Sequence, residues 1–332
     1  MKAFVSSSYG PPSALELKHI DKPEPRDDEV LVRVRATSVQ PYDWHLMRGE
    51  PYVARLMPGG LGLRKPGIPI LGADLAGEVE AVGKAVTEFQ PGDEVYAMSK
   101  RDGFGEYACV RESELAPKPR NLSFEEAAAV PMAANTALLA VRDDGRLKPG
   151  QKVLVNGASG GVGTFAVQLA KAFGGEVTGV CSHRNVDLVR SLGADEVVDY
   201  TKEDFTRQGR RYDLVIDNAS SHGASAYRRV LKPGGVHVLV GGPGGRWLQP
   251  AGTMFAALAA SLFLPHKVTR TDVVACKENK RNLITLTELI EAGEIHPVID
   301  RQYAFEEIPA AVRYQEEGRS SGKVVVTVAK TT

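Results

Sequence analysis

VLVNGASGGVGTFAVQLAKAFGGEVTGVCSHR, residues 153–184, runs from a β-branched apolar segment into a glycine cluster, a helical pattern and a second apolar segment. A glycine cluster that follows a strand and opens a helix has a physical use. Small residues let the backbone approach an anion, and the first helical turn presents unpaired N–H groups to it. The spacing is Ala158-x-Gly160-x-x-Gly163. Gly160 is expected to admit a pyrophosphate and Gly163 to let the helix pack closely on the strand. The first glycine of the usual dinucleotide fingerprint is alanine here, so a tight structural turn that binds nothing is the alternative.

The surroundings decide between the two. From Lys152 onward the chain alternates strand and helix: KVLVNG, a helix, EVTGVCS, a helix, DEVVDY, YDLVIDNAS, a helix, then GGVHVLVGG. This is the βαβ rhythm of a doubly wound parallel sheet, and in that setting the glycine loop (Ser159, Gly160, Gly161, Val162, Gly163) reads as a dinucleotide site. The second strand ends Cys181-Ser182-His183-Arg184. An NAD site usually has a carboxylate there. A hydroxyl and a guanidinium fit the 2′-phosphate of NADP(H) instead, with Tyr200, ending the third strand, beside the adenine.

The first third reads differently. EVLVRVRATSV (29–39) alternates as a half-buried strand, with Val30, Val32 and Val34 on one face and Arg33 and Arg35 on the other. DLAGEVEAVG and GDEVYAM follow between turn signals. Ser123 and Glu126 have capping-box spacing ahead of an alanine-rich helix. PGGLGLRKPG (58–67) is the most loop-like stretch and reads as a flap.

Composition narrows the function classes. The 332 residues carry 41 basic and 41 acidic side chains without a long run of either sign, so no nucleic-acid or acidic-lipid partner is implied. The most apolar run, MFAALAASLFL (254–264), falls short of the roughly 20 residues that span a membrane. Three scattered cysteines argue against a disulfide framework. With no signal-type apolar segment in MKAFVSSSYG, a cytoplasmic protein is expected.

PILGADLAGEVEAVG, AANTALLAV, LVNGASGGVG, LGADEVVDY and LIEAGEIHPVIDRQYAFEEIPAA, in this order, resemble the medium-chain dehydrogenase/reductases almost end to end. The resemblance implies an α/β chain in two domains. One is a discontinuous, β-rich GroES-like catalytic domain (1–123 and 267–332). The other is a Rossmann domain (124–266) that binds NADP(H).

In the zinc alcohol dehydrogenases of that family, three ligand positions match Gln40, Ala73 and Met132. None offers the donor that catalytic zinc takes. Asp43, His45 and Asp74 lie nearby, either for a different site or for structural hydrogen bonds. The branch this sequence is similar to is the zinc-independent quinone oxidoreductases and alkenal/enone reductases, where Asn-Pro-x-Asp stands in place of Gln40-Pro41-Tyr42-Asp43.

The expected function is therefore metal-free hydride delivery from NADPH to a quinone or an α,β-unsaturated carbonyl, an apolar small molecule. Gln40 and Tyr42 are candidate donors to its oxygen, and Tyr42 serves equally as a wall against a substrate ring. Asp43 belongs to the same motif, and His45 is a candidate proton relay or a structural histidine. Thr136, Val162 and Val240-Gly241-Gly242 are implied neighbours of the nicotinamide, and Lys323 a cofactor residue. The family also implies a homodimer, joined through GGVHVLVGG as an edge strand. A zinc-type alcohol dehydrogenase and a non-catalytic NADPH sensor are the alternatives.

Overall fold

The computed structural model describes residues 1–52, 55, 61–63, 65–241 and 266–328. Gly242, the apolar run 254–264 and four residues of the 58–67 stretch lie outside the described residues. Two compact units divide the chain: Met1–Met132 with Cys276–Ala292 and Pro297–Thr332, and Ala133–Ala275 with Gly293–His296.

In the first unit, strands β1 (Lys2–Ser6) and β2 (Leu15–His19) form an antiparallel pair. The main sheet follows the order β14 (Ile299–Ala304), β15 (Lys323–Thr327), β3 (Glu29–Val39), β4 (Asp74–Val82), β5 (Glu94–Met98), β7 (Leu115–Pro117), with β6 (Tyr107–Arg111) also on β3. The long strand β3 is therefore central. The expected half-buried alternation gives way to burial at every residue except Arg33. A short helix, α2 (Phe124–Ala128), packs over β3 and β4. Arg35 is buried beneath it, with its guanidinium over the Phe124 ring.

The capping box forms. Ser123 Oγ accepts from the Glu126 amide and Glu126 accepts from the Ser123 amide. The alanine-rich segment is two helices, because Pro131 opens α3 (Pro131–Leu138) rather than continuing α2. The first stretch of the first unit ends at Met132.

The second unit carries six parallel strands in the order β10 (Glu196–Asp199), β9 (Glu176–Cys181), β8 (Lys152–Asn156), β11 (Tyr212–Asp217), β12 (Leu231–Leu239), β13 (Lys267–Arg270). This is the doubly wound order. The helices α4 (Gly161–Ala172), α5 (Val186–Ser191) and α6 (Ala224–Val230) make the crossovers after β8, β9 and β11. The expected edge strand is not an edge: β13 pairs on the far side of β12. Helices α7 (Asn279–Glu291) and α8 (Ile308–Glu316) belong to the first unit. No helix among the described residues is long and apolar enough to cross a membrane.

Candidate active site

The register of three strands builds the polar centre of the first unit. Strand β15 runs antiparallel to β3 with Val324 opposite Val39, which brings Lys323 beside Gln40 at the end of β3. Strand β4 is paired so that Asp74 stands opposite Ser38. Immediately after β3, Pro41 starts helix α1 (Pro41–Arg48), with Gln40 as its N-cap.

The N3 residue Asp43 reaches back to that cap. Its Oδ2 accepts from the Gln40 amide at 3.0 Å, and its Oδ1 accepts from the amides of Gly72 and Ala73 at 3.1 and 3.0 Å. Asp74 is equally engaged, accepting from Ser38 Oγ at 3.1 Å and the Met132 amide at 3.0 Å. Lys323 donates to Gln40 Oε1 at 2.7 Å and stands 3.7 Å from Asp74 Oδ2.

Every one of these side chains is buried. The cluster includes Gln40, Ala73 and Met132, the three positions that the resemblance aligns with zinc ligands, and Lys323 brings an ammonium against Gln40. Among the described residues no three histidine, cysteine or acidic side chains are grouped to hold a metal.

Burial sets the electrostatics. It pushes the Asp43 carboxyl up to about 7, against the lowering effect of the Gln40 amide; Asp74 adds to the rise, and Lys323 and the Gly72 amide oppose it. Asp74 rises to about 6 for the same first reason, held back by Lys323, Ser38, the Met132 amide and Gln40. Lys323 is lowered by burial and raised by both carboxylates.

One atom is left over. Gln40 Nε2 is buried and makes no hydrogen bond. The Gln40 side chain also helps to hold the Asp74 carboxyl down, although Nε2 meets hydrogen-bond geometry with no group. A buried unpaired donor costs stability, so it marks a place for a ligand oxygen.

Tyr42 and His45 lie two and five residues after Gln40, on α1. Burial, then Asp43, raises Tyr42 to about 12, so its hydroxyl keeps its proton throughout the neutral range. His45 is lowered by burial; its ring stacks on Trp44 and its Nδ1 is buried without a partner.

The glycine loop of the second unit shows which atoms need the absence of a side chain. Gly157 has φ +76°, so the tight turn falls one residue before Ala158. A Cβ on Gly163 would lie 2.0 Å from the Gly157 carbonyl oxygen. At Gly160 a Cβ would meet nothing closer than 3.6 Å, so the protein's own packing does not require that glycine. Gly160 caps α4 without a side-chain hydrogen bond, and the first-turn amides, from Gly161 through Gly163, face outward for an anion. The residues fit a dinucleotide pyrophosphate.

Ser159 Oγ and Ser182 Oγ both accept from Asn185 Nδ2, at 2.9 and 3.4 Å. Arg184 is exposed beside them, and Tyr200 is 61% exposed. Val240 and Gly241 donate their amides to the Asp217 carbonyl, and Ser220 Oγ donates to the Gly241 carbonyl. Thr136 is buried on α3.

Two residues escaped the sequence reading. Asp199 ends β10, paired with Cys181 at the end of β9, so a carboxylate does stand near the strand end that appeared to lack one. It is already committed: Oδ1 accepts from the Thr201 amide and hydroxyl, and Oδ2 lies 3.1 Å from His183 Nδ1. Lys202 adds a further cation, 3.2 Å from the same His183 nitrogen. The register of DEVVDY against EVTGVC was the available signal.

Comparison with known proteins agrees with this architecture. Residues 26–120 match the Alcohol dehydrogenase GroES-like domain, and residues 192–326 match the Zinc-binding dehydrogenase domain. The latter span contains none of positions 40, 73 and 132. The chain is 33% identical to the Chloroplast envelope quinone oxidoreductase homolog of Arabidopsis thaliana, covering 98% of both chains. It is 34% identical to the NADPH-dependent alkenal/one oxidoreductase, chloroplastic, of the same plant, covering 98% of this chain and 79% of that one. Among solved structures, one titled NAD-dependent alcohol dehydrogenase superposes with a TM-score of 0.85 at 31% identity, over 99% of this chain and 100% of that one. The chain belongs to the medium-chain dehydrogenase/reductase family, in the branch that contains the quinone oxidoreductases and alkenal/one oxidoreductases.

Proposed function

We propose that the protein is an NADPH-dependent reductase that delivers hydride to a quinone or to the β-carbon of an α,β-unsaturated carbonyl, without zinc. The observation that carries this reading is the buried, unbonded Nε2 of Gln40 in the place where zinc relatives carry a ligand. NADPH, when bound, supplies the hydride. The acceptor must then hold new negative charge on oxygen, and a fixed donor in a water-poor site stabilises that charge as it develops.

Gln40 Nε2 is that donor. Tyr42 is the second, because a phenol whose pKa is raised to about 12 holds its proton until the oxygen needs it. Asp43 acts by fixing the backbone of Gln40, Gly72 and Ala73. His45, kept neutral by burial, is a relay that passes on one proton as it receives another.

The amides of Gly161, Val162 and Gly163 take the pyrophosphate, with Gly160 opening the approach and Ser159 beside them. Ser182 and Arg184 meet the adenosine 2′-phosphate, and Tyr200 packs beside the adenine. Thr136, Val162, Val240 and Gly241 flank the nicotinamide. Oxidising a simple alcohol without a Lewis acid is much harder, because nothing of comparable strength stabilises the alkoxide. The protein is a cytoplasmic homodimer in this reading, and sedimentation measures the second part.

Chelator-dialysed protein, offered NADPH with a quinone and separately with an enone and an alkenal, tests the proposal. Turnover of any of these supports it. Turnover that appears only with added zinc, or NADPH binding with no turnover, replaces it with an alcohol dehydrogenase or a sensor.

A further inference from the structure

Lys323 entered as an expected cofactor residue, yet its ammonium is turned onto an amide. A lysine can only donate, so the Gln40 atom 2.7 Å from Nζ is the carboxamide oxygen. The orientation of the amide follows: Nε2 is the opposite end, and it is the end without a partner. The ammonium is 3% exposed and is held in turn by Asp74 Oδ2 at 3.7 Å. Asp43 is the other charged group facing it. Three links therefore run in series, from the Asp74 carboxylate to the Lys323 ammonium, the Gln40 oxygen and the Gln40 N–H.

We propose that Lys323 is a positioning residue for the reaction: it fixes the Gln40 carboxamide with Nε2 toward the acceptor oxygen and polarises it into a stronger donor. The inference rests on the functional reading above. A positive charge on an amide oxygen draws electron density from its nitrogen, and hydrogen bonds in series reinforce one another in a low-dielectric site. The same contact removes the alternative rotamer, in which the carbonyl oxygen would face the developing oxyanion and repel it. The site thereby gains electrophilic character from an organic cation acting at one remove. The acceptors it favours are those whose oxygen gains charge during hydride transfer.

The test is a double-mutant cycle of Lys323→Met and Gln40→Leu in an Asp74→Asn background, which avoids leaving a buried carboxylate unpaired. Steady-state kinetics with an enone, NADPH binding by fluorescence and thermal unfolding are measured for each protein. Lys323→Met is expected to lower kcat by about tenfold to a hundredfold, with the NADPH dissociation constant within about twofold of the background. The double variant is expected to lose no more than Gln40→Leu alone, since the lysine acts through the amide. Additive losses, or NADPH binding weakened in step with kcat, overturn the assignment and return Lys323 to the cofactor.

A readout independent of turnover is the side-chain 15N signal of Gln40, assigned by its loss in Gln40→Leu. Lys323→Met in an otherwise unchanged chain is expected to shift it, and an unmoved signal overturns the proposal. Wild-type protein that reduces no acceptor defeats the functional reading; the 15N signal then decides the Lys323–Gln40 contact alone.

Discussion

The carboxylate of Asp199 lies 3.1 Å from His183 Nδ1 and takes two further hydrogen bonds from Thr201. A carboxylate near the adenosine ribose ordinarily favours NAD, by accepting from the 2′-hydroxyl. Here its acceptor capacity is used inside the protein, with Lys202 Nζ a further 3.6 Å away, and the proposed reading gives the 2′-phosphate to Arg184. Arg184→Ala is expected to raise the NADPH dissociation constant about tenfold while leaving NADH unchanged. Thr201→Val combined with His183→Leu removes two of the partners of Asp199, leaving the residue-201 amide and Lys202, and is expected to shift preference toward NADH. Titration of both cofactors against each variant checks this; equal losses for NADPH and NADH would remove Arg184 from the phosphate.

The two glycines of the loop separate folding from binding. A methyl at Gly163 would collide with the Gly157 carbonyl, so Gly163→Ala should cost about 1–3 kcal/mol of stability. At Gly160 the protein leaves the space open. Gly160→Ala should therefore keep the thermal midpoint and weaken NADPH binding tenfold or more. Denaturation and cofactor titration measure the pair, and a destabilised Gly160→Ala would mean that packing needs that glycine too.

Asp43 is expected to matter through its acceptors. In Asp43→Asn one oxygen becomes an NH2 facing backbone amides, which should cost about 2–3 kcal/mol. The pH dependence has a definite sign. Burial raises the folded-state pKa to about 7, above the unfolded value of about 3.9. The folded wild type therefore binds the extra proton between those values, and that contribution to stability is lost as pH rises through 7. The stability advantage of wild type over Asp43→Asn should be larger at pH 5 than at pH 8 in urea denaturation. A difference that grows with pH would mean that Asp43 stays ionised in the folded protein.

Tyr42 should act in chemistry and not in folding. Its raised pKa places no titration of the phenol in the neutral range, so Tyr42→Phe is expected to lower kcat about tenfold without moving the acidic limb of the pH profile. An unchanged kcat with a raised KM would assign Tyr42 to the wall of the acceptor site.

The sequence made some of this legible because the relevant forces are local. The β8–loop–α4 unit and the Ser123–Glu126 cap each depend on residues a few positions apart. What escaped depends on pairing between distant segments. Lys323 and Gln40 are 283 positions apart, and only the β3–β15 register brings them together. The short β13 encloses GGVHVLVGG, whose apolar run looks the same at an edge or inside a parallel sheet. Arg35 read as solvent-facing because alternation records one sheet face and says nothing of a helix laid over the other.

The most direct measurement is transfer of label. Metal-stripped protein is given NADPH deuterated at the nicotinamide C4 with an enone, and the product is read by NMR. Deuterium bonded to the β-carbon of the saturated ketone, at undiminished rate after chelation, is the result predicted. Deuterium at the carbonyl carbon, or transfer that returns only with zinc, would contradict metal-free conjugate reduction.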